Sequence, residues 1–375
     1  SVAGWAQART GQGDMALEVR GSMAQGESPS VLEEMQEQWA SMAGMAGMFV
    51  GTILLGLSIQ PIYNVPEARA FGEEGATKAG NVILEMFFIL IFTVVIIWLA
   101  RKGLDFLIKG IVMVALWFSM FYAVMPYAAL FWAVLGLGSI TITGVSTFLI
   151  STALMVLLHR YPEWYVVNGV GILVGAGVIT IIGVTFVPVL IILFMVIAAV
   201  YDHWAVNSSK HMLELADTMI SLKLPVLLVA PKSKDYSFLE EGDQVMRSET
   251  SEDMDWDDPV KNMPEPKKSG GDALFMGLGD VIFPGMLVIS AVSFLPEMGP
   301  EIDYVFGTMH AGPLTVGLGT LVGGLAGYVA LMTQVARGNP QAGLPLLNGG
   351  SILGYLIAGI IALGPTALWQ DISFF

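Results

Sequence analysis

The chain has 375 residues, of which 55% are hydrophobic and 13% charged, and its mean hydropathy is +0.69. That balance excludes an ordinary soluble domain and points to a polytopic membrane protein. Cysteine is absent, which rules out thiol catalysis, disulfide scaffolding and cysteine-based metal sites. Much of the net charge of −15 lies in one polar stretch, roughly 235–265, and so says little about the apolar body.

Residues 1–42 read as a polar, acidic tail with an amphipathic patch at Val31–Trp39 and without the regions of a signal peptide. A bilayer-spanning helix needs about 20 mainly apolar residues. By that measure spans are expected near 43–63, 82–100, 108–137, 141–159, 166–184, 187–206, 273–295, 312–334 and 346–364. The third is long and contains Pro126, and is read as one kinked or tilted helix rather than two spans, a turn at Pro126 being the alternative that would make ten. The expected fold is therefore all-α, with nine transmembrane helices. Its parts are a tail (1–42), six spans (43–206), a largely flexible loop (207–272), and three more spans with the C-terminus (273–375). Within the loop, Leu222–Ala230 is apolar but too short to span, so it is expected at the interface or against the bundle. From Lys232 to Gly271 the chain is acidic and rich in Ser, Pro and Gly, a composition that buries too little apolar surface to offset chain entropy.

Cytoplasmic loops carry an excess of Lys and Arg. With nine spans and the N-terminus inside, the tail and the 101–107, 160–165, 207–272 and 335–345 connections lie inside. Those segments, with Lys109 at their edge, hold 15 of the 17 cations, and only Arg69 and Lys78 fall outside. The expected topology is N-terminus in the cytoplasm and C-terminus outside.

The chemistry is carried by a few polar residues in apolar surroundings. Asp280, in Gly277-Leu278-Gly279-Asp280, falls inside the seventh predicted span. A carboxylate there is unfavourable by roughly 3 kcal/mol on insertion scales and normally faces a protein interior or a water-filled cavity. Asp202, in Tyr201-Asp202, lies near the inner end of the sixth span. Helical rise puts both carboxylates about 5–14 Å below the inner boundary. Gly343-Leu344-Pro345-Leu346-Leu347 begins the ninth span at the same depth. Each element has a structural reading too: an interfacial acid at Asp202, glycines for close packing at Gly277 and Gly279, a helix-starting proline at Pro345. Their convergence favours a functional site. Gly319, Gly323 and Gly327, like Gly171 and Gly175, recur every four residues and fit helix–helix packing. Glu85 reads as an interfacial acid, the 22 methionines as adaptable packing, and His159, His203, His211 and His310 lack metal-ligand spacing.

At Tyr201-Asp202, Gly277-Leu278-Gly279-Asp280 and Pro345-Leu346-Leu347 the chain resembles the presenilin and signal peptide peptidase family of intramembrane aspartyl proteases, over about residues 43–364. That family has nine spans, a YD motif in the sixth, a GxGD motif in the seventh and a PAL motif at the ninth. The resemblance implies catalytic Asp202 and Asp280. It gives Tyr201, Gly277, Leu278, Gly279, Pro345, Leu346 and Leu347 motif or substrate-positioning roles. Leu346 departs from the alanine of PAL, and its extra methylenes are expected to narrow the space near the aspartates. The inside N-terminus matches the presenilin branch. The compact, cysteine-free chain looks most like a microbial (archaeal) homologue, in the cell membrane of a prokaryote. No cofactor or metal is implied. The implied partners are transmembrane-helix substrates and the bilayer, with homo-oligomers open and no nucleic acid.

The mechanism implied is general acid–base proteolysis: two close carboxyls share a proton, one activating water while the other polarises the scissile carbonyl. A substrate helix must unwind first, and Gly343–Leu347 and the chain before Gly277 are candidates to pair with it by β-augmentation. Two rivals remain at this level, a transporter or channel with Asp202 and Asp280 on an ion path and a silent membrane scaffold.

Overall fold

A computed structural model of the protein describes residues 36, 38–204, 227–233, 236, 237, 273–335 and 343–373. In the expected positions of the spans it has helices α1 (Trp39–Tyr63), α2 (Ala79–Arg101), α3 (Asp105–Val134), α4 (Ile140–Arg160), α5 (Trp164–Gly183) and α6 (Pro188–Trp204). Strands β1 (Leu227–Pro231) and β2 (Ala273–Gly277) lead to helix α7 (Leu278–Phe294). Strands β3 (Glu301–Tyr304) and β4 (Gly307–His310) precede α8 (Ala311–Val335) and α9 (Leu344–Ala362). Among the described residues seven helices are long and apolar enough to cross a membrane, and α6 and α7 are shorter apolar helices. The chain is thus an integral, multi-pass membrane protein. Most of the acidic stretch 232–271, much of the tail, His211 and the 205–226 and 336–342 segments lie outside the described residues.

The surface carries large apolar side chains that water would not favour. On α2, Phe87, Phe88 and Leu90 are more than half exposed, and on α4 Leu149 is 61% exposed. A helix apolar all round needs a hydrocarbon environment. The interior is built by α5, α6, α7, α8 and α9. α7 packs against α5, α6, α8 and α9, while α6 also meets α9.

α3 is one helix with Pro126 inside it. Proline removes the amide that would bond the carbonyl four residues back, at Tyr122. The Tyr63 hydroxyl of α1 supplies the missing donor, at 2.6 Å from that oxygen. An apolar helix bundle thus keeps a proline by borrowing a donor from its neighbour.

The glycine repeat of α8 meets a second one on α9. A Cβ on Gly323 would strike the carbonyl of Gly350 and lie 2.8 Å from the Cα of Gly354, and one on Gly327 would strike the carbonyl of Leu346. Small residues let backbones approach where no hydrophobic force separates lipid from protein contacts. This approach fixes the start of α9 against α8.

Two features correct the all-α expectation. β1 and β2 form an antiparallel pair, with Leu228 opposite Met276 and Leu227 opposite Gly277. β3 and β4 form a hairpin, docked on α1 by the Tyr304 hydroxyl, which donates to the Ser58 carbonyl at 2.8 Å. The seventh predicted span, 273–295, therefore starts too early: 273–277 is strand, and the helix begins at Leu278. Its run Ala273-Leu274-Phe275-Met276 is apolar throughout and so reads equally well as buried helix or buried strand. The partner strand, some 45 residues away, decides. Likewise the described part of Leu222–Ala230 is β1, buried at Leu228, Val229 and Ala230 against the bundle.

Gly323→Ala is expected to lower stability by about 1–3 kcal/mol, as overpacking does. It would be read as a fall in the thermal unfolding midpoint of the detergent-solubilised protein, and an unchanged midpoint would refute this packing.

Candidate active site

Three chain segments meet around the two aspartates. Asp202 is on the last turn of α6 as described and is 6% exposed. One of its carboxylate oxygens, Oδ2, accepts a hydrogen bond from the backbone N–H of Leu344 at 3.3 Å. Leu344 is the first residue of α9, whose leading amides have no partner within the helix. The positive end of the helix dipole favours an anion at that place as well.

Asp280 occupies the third position of α7, counted from its N-cap Gly277. Its side chain reaches back to the Gly277 backbone amide, the placement of an acid in a capping box. Asp280 thus lies in the first turn of α7, because the helix begins at Leu278 and not at 273. The carboxyls of Asp280 and Asp202 are close enough to interact electrostatically.

Gly343, the N-cap of α9, closes the arrangement. A Cβ on it would lie 2.9 Å from Asp280 Oδ2 and 3.2 Å from its Cγ. Gly343 and Leu344 are consecutive, so one short backbone segment touches both aspartates, the first by close approach and the second by hydrogen bond. A cavity of about 110 Å³ opens on this point, lined by Asp280 and Gly343 with Met45, Leu274, Met276 and Met332 among others. It has room for several waters. A larger cavity of about 400 Å³, lined by Gln60, Ser293 and His310 among others, lies at the opposite ends of α1 and α7 and touches neither aspartate.

The other predicted site residues divide. Gly279 is exposed and a Cβ there would meet nothing within 4 Å, whereas Leu278 is buried and packs over Gly175 of α5. Leu347 is fully buried. Pro345 sits in the first turn of α9, where its missing N–H is harmless. Leu346 is not among the residues lining this cavity, and its carbonyl packs on Gly327. Tyr201 is 48% exposed and its ring lies 6.1 Å from that of Trp204. Leu344–Leu347 is helical, so this segment offers no strand edge to a substrate; only the chain before Gly277 is extended. The sequence reading passed over Gly343 as an individual residue and over Asn168, a buried amide on α5. A glycine two residues before the proline, and a lone amide in an apolar span, were the available signals. Among the described residues no group of three or more His, Cys, Asp or Glu is placed to hold a metal.

The family model described as signal-peptide peptidase, presenilin aspartyl protease matches residues 45–364. Two solved structures of a presenilin family intramembrane aspartate protease, in space groups C222 and P2, are similar to this chain at 27% identity. The first covers 86% of this chain and 99% of its own, with a TM-score of 0.54, and the second covers 85% and 97%, with a TM-score of 0.52. No curated protein matches. The chain belongs to the signal-peptide peptidase and presenilin aspartyl protease family. It is an intramembrane aspartyl protease, and nothing in these likenesses favours a channel.

Gly343→Ala is expected to push Asp280 aside and reduce peptide cleavage by about tenfold or more, since displacements near 1 Å can cost a hundredfold. Cleavage assays with thermal unfolding as a control test this: a folded Gly343→Ala protein with parental activity would refute it.

Proposed function

We propose that Asp202 and Asp280 are the catalytic pair of this protease, hydrolysing peptide bonds within or near transmembrane segments of membrane proteins. The observation that carries this is the meeting of α6, α7 and the start of α9, where Leu344 bonds Asp202 and Gly343 abuts Asp280. A pair of neighbouring carboxyls shares one proton. The ionised member takes a proton from water as its oxygen attacks the scissile carbonyl, and the protonated member donates to the carbonyl oxygen. Collapse of the tetrahedral intermediate breaks the C–N bond, and the amine leaves with a proton from the pair. Which aspartate holds the proton at the outset belongs to the pair rather than to either residue. The open space over Gly279 suits the approach of a substrate backbone.

Nine spans with a cytoplasmic N-terminus put the pair near the cytoplasmic side of a prokaryotic cell membrane. The distribution of cations supports this. So does the C-terminal segment, which returns to the start of α2: Ala79 N–H donates to the Ser373 carbonyl at 2.8 Å, as expected if both lie on the outer side. The substrate is a transmembrane helix unwound at the site. Its exposed backbone is met in extended form beside the β1–β2 pair, which runs directly into Gly277.

Purified protein, a single-span reporter peptide and the Asp202→Asn and Asp280→Asn variants test the proposal. Product is expected from the parent and from neither variant. Equal product from all three would assign the activity to a contaminant, and flux of ions without peptide product would favour transport.

A further inference from the structure

A strand beside the active site has an outer edge that needs partners, and side chains from two helices supply them. Val229, in the middle of β1, is fully buried. Its carbonyl accepts a hydrogen bond from the Asn168 amide nitrogen at 2.7 Å, and its N–H donates to Asn168 Oδ1 at 2.8 Å. One carboxamide thus presents to Val229 the donor and acceptor that a neighbouring strand would present. Two residues on, the Pro231 carbonyl accepts from the Ser41 hydroxyl of α1 at 2.6 Å. Pro231 has no N–H to satisfy, which suits an edge. From Val229 to Pro231, every outward backbone group of β1 is bonded to a membrane helix.

The opposite edge of β1 pairs with β2, and β2 ends at Gly277, the cap whose amide holds Asp280. Asn168 is 5% exposed in an otherwise apolar stretch of α5. A buried carboxamide without partners is costly. With both hydrogen bonds made to one residue it opposes slippage: a shift of β1 by one residue would turn Val229's amide and carbonyl away, and a shift by two that brought Pro231 to Asn168 would offer no N–H. β1 and β2 are apolar on both faces, so no alternation of apolar and polar residues chooses the register between them.

We propose that Asn168 is a positioning residue for proteolysis: acting as a one-residue strand, it locks the register of β1, and through β2 sets where an extended substrate lies relative to Asp280. Asn168 therefore governs which bond of the substrate is cut. The same bonds close β1 to an incoming strand at Val229 and direct the substrate to the β2 side. This rests on the reading of Asp202 and Asp280 as the catalytic pair.

The test has two readouts on the full chain, one of which needs no activity. The chain lacks cysteine, so Leu228→Cys with Met276→Cys traps the native register as a disulfide, and Ala230→Cys with Met276→Cys traps a two-residue slip that would put Pro231, which has no N–H, opposite Asn168. With Asn168 present the native pair is expected to form at least about tenfold faster under a mild oxidant, and Asn168→Leu is expected to bring the two rates within about threefold. In parallel, mass spectrometry of reporter products is expected to show the parent's main cleavage position spreading to neighbouring bonds in Asn168→Leu. Should Asn168→Leu fail to fold, Asn168→Gln serves in its place: it keeps the carboxamide but moves it by one methylene, so the two bonds to Val229 cannot both keep their geometry. Unchanged trapping rates and unchanged product masses in the folded variant overturn the proposal. A parent that makes no product, alongside trapping rates that respond to Asn168, would instead overturn the catalytic assignment and leave the locking role supported.

Discussion

A carboxylate inside an apolar bundle is held only where donors face it, and the donors available without adding further polar side chains are the unpaired amides at helix starts. Both aspartates are placed by that constraint. Asp202 ends α6 at the point where α9 begins, and takes the Leu344 amide. Asp280 lies in the first turn of its own helix and turns back to the Gly277 amide. Asp202 interacts electrostatically with the adjacent His203 and with Asp280, and Asp280 lines the cavity beside them.

Bringing two helix starts to one point requires backbones to come closer than side chains allow. Along α8 and α9 the glycines at 319, 323 and 327 face those at 350 and 354, so α9 is drawn in along its length. At its tip Gly343 extends the same rule from packing to chemistry, since any side chain there would occupy the place of the Asp280 carboxyl. Asn348, one turn further along α9, donates to the Met195 carbonyl of α6 at 3.0 Å and ties the two helices together below Asp202. Close packing and the geometry of the site are therefore one property of these helices.

The spans were legible because a membrane leaves backbone few choices, and long apolar runs between cationic loops become helices. The two aspartates were legible because charge is rare in such runs. What was not legible was local. Ala273–Met276 carries no period that separates strand from buried helix, and its strand partner lies beyond a long polar stretch of sequence. Leu346 drew attention as the residue that departs from the PAL motif, and what the packing shows of it is a backbone carbonyl set against Gly327. The residue that does meet Asp280 is Gly343, whose importance depends on what is opposite it in space, and no spacing along the chain reports that.

The strands follow from the shortness of α7. Its 17 residues rise about 26 Å, less than the roughly 30 Å of a hydrocarbon core. The chain that leads into it therefore has to satisfy its backbone among apolar helices without being helical itself. β2 does so by pairing with β1, and β1 in turn needs partners on its other side. A third strand would bring the same need to a further edge. Two side chains, Asn168 and Ser41, end the series instead, because a carboxamide and a hydroxyl present strand-like groups from helices whose own backbones are already paired. Irregular backbone at membrane depth is stable here because helices α1 and α5 supply the bonds that water supplies elsewhere.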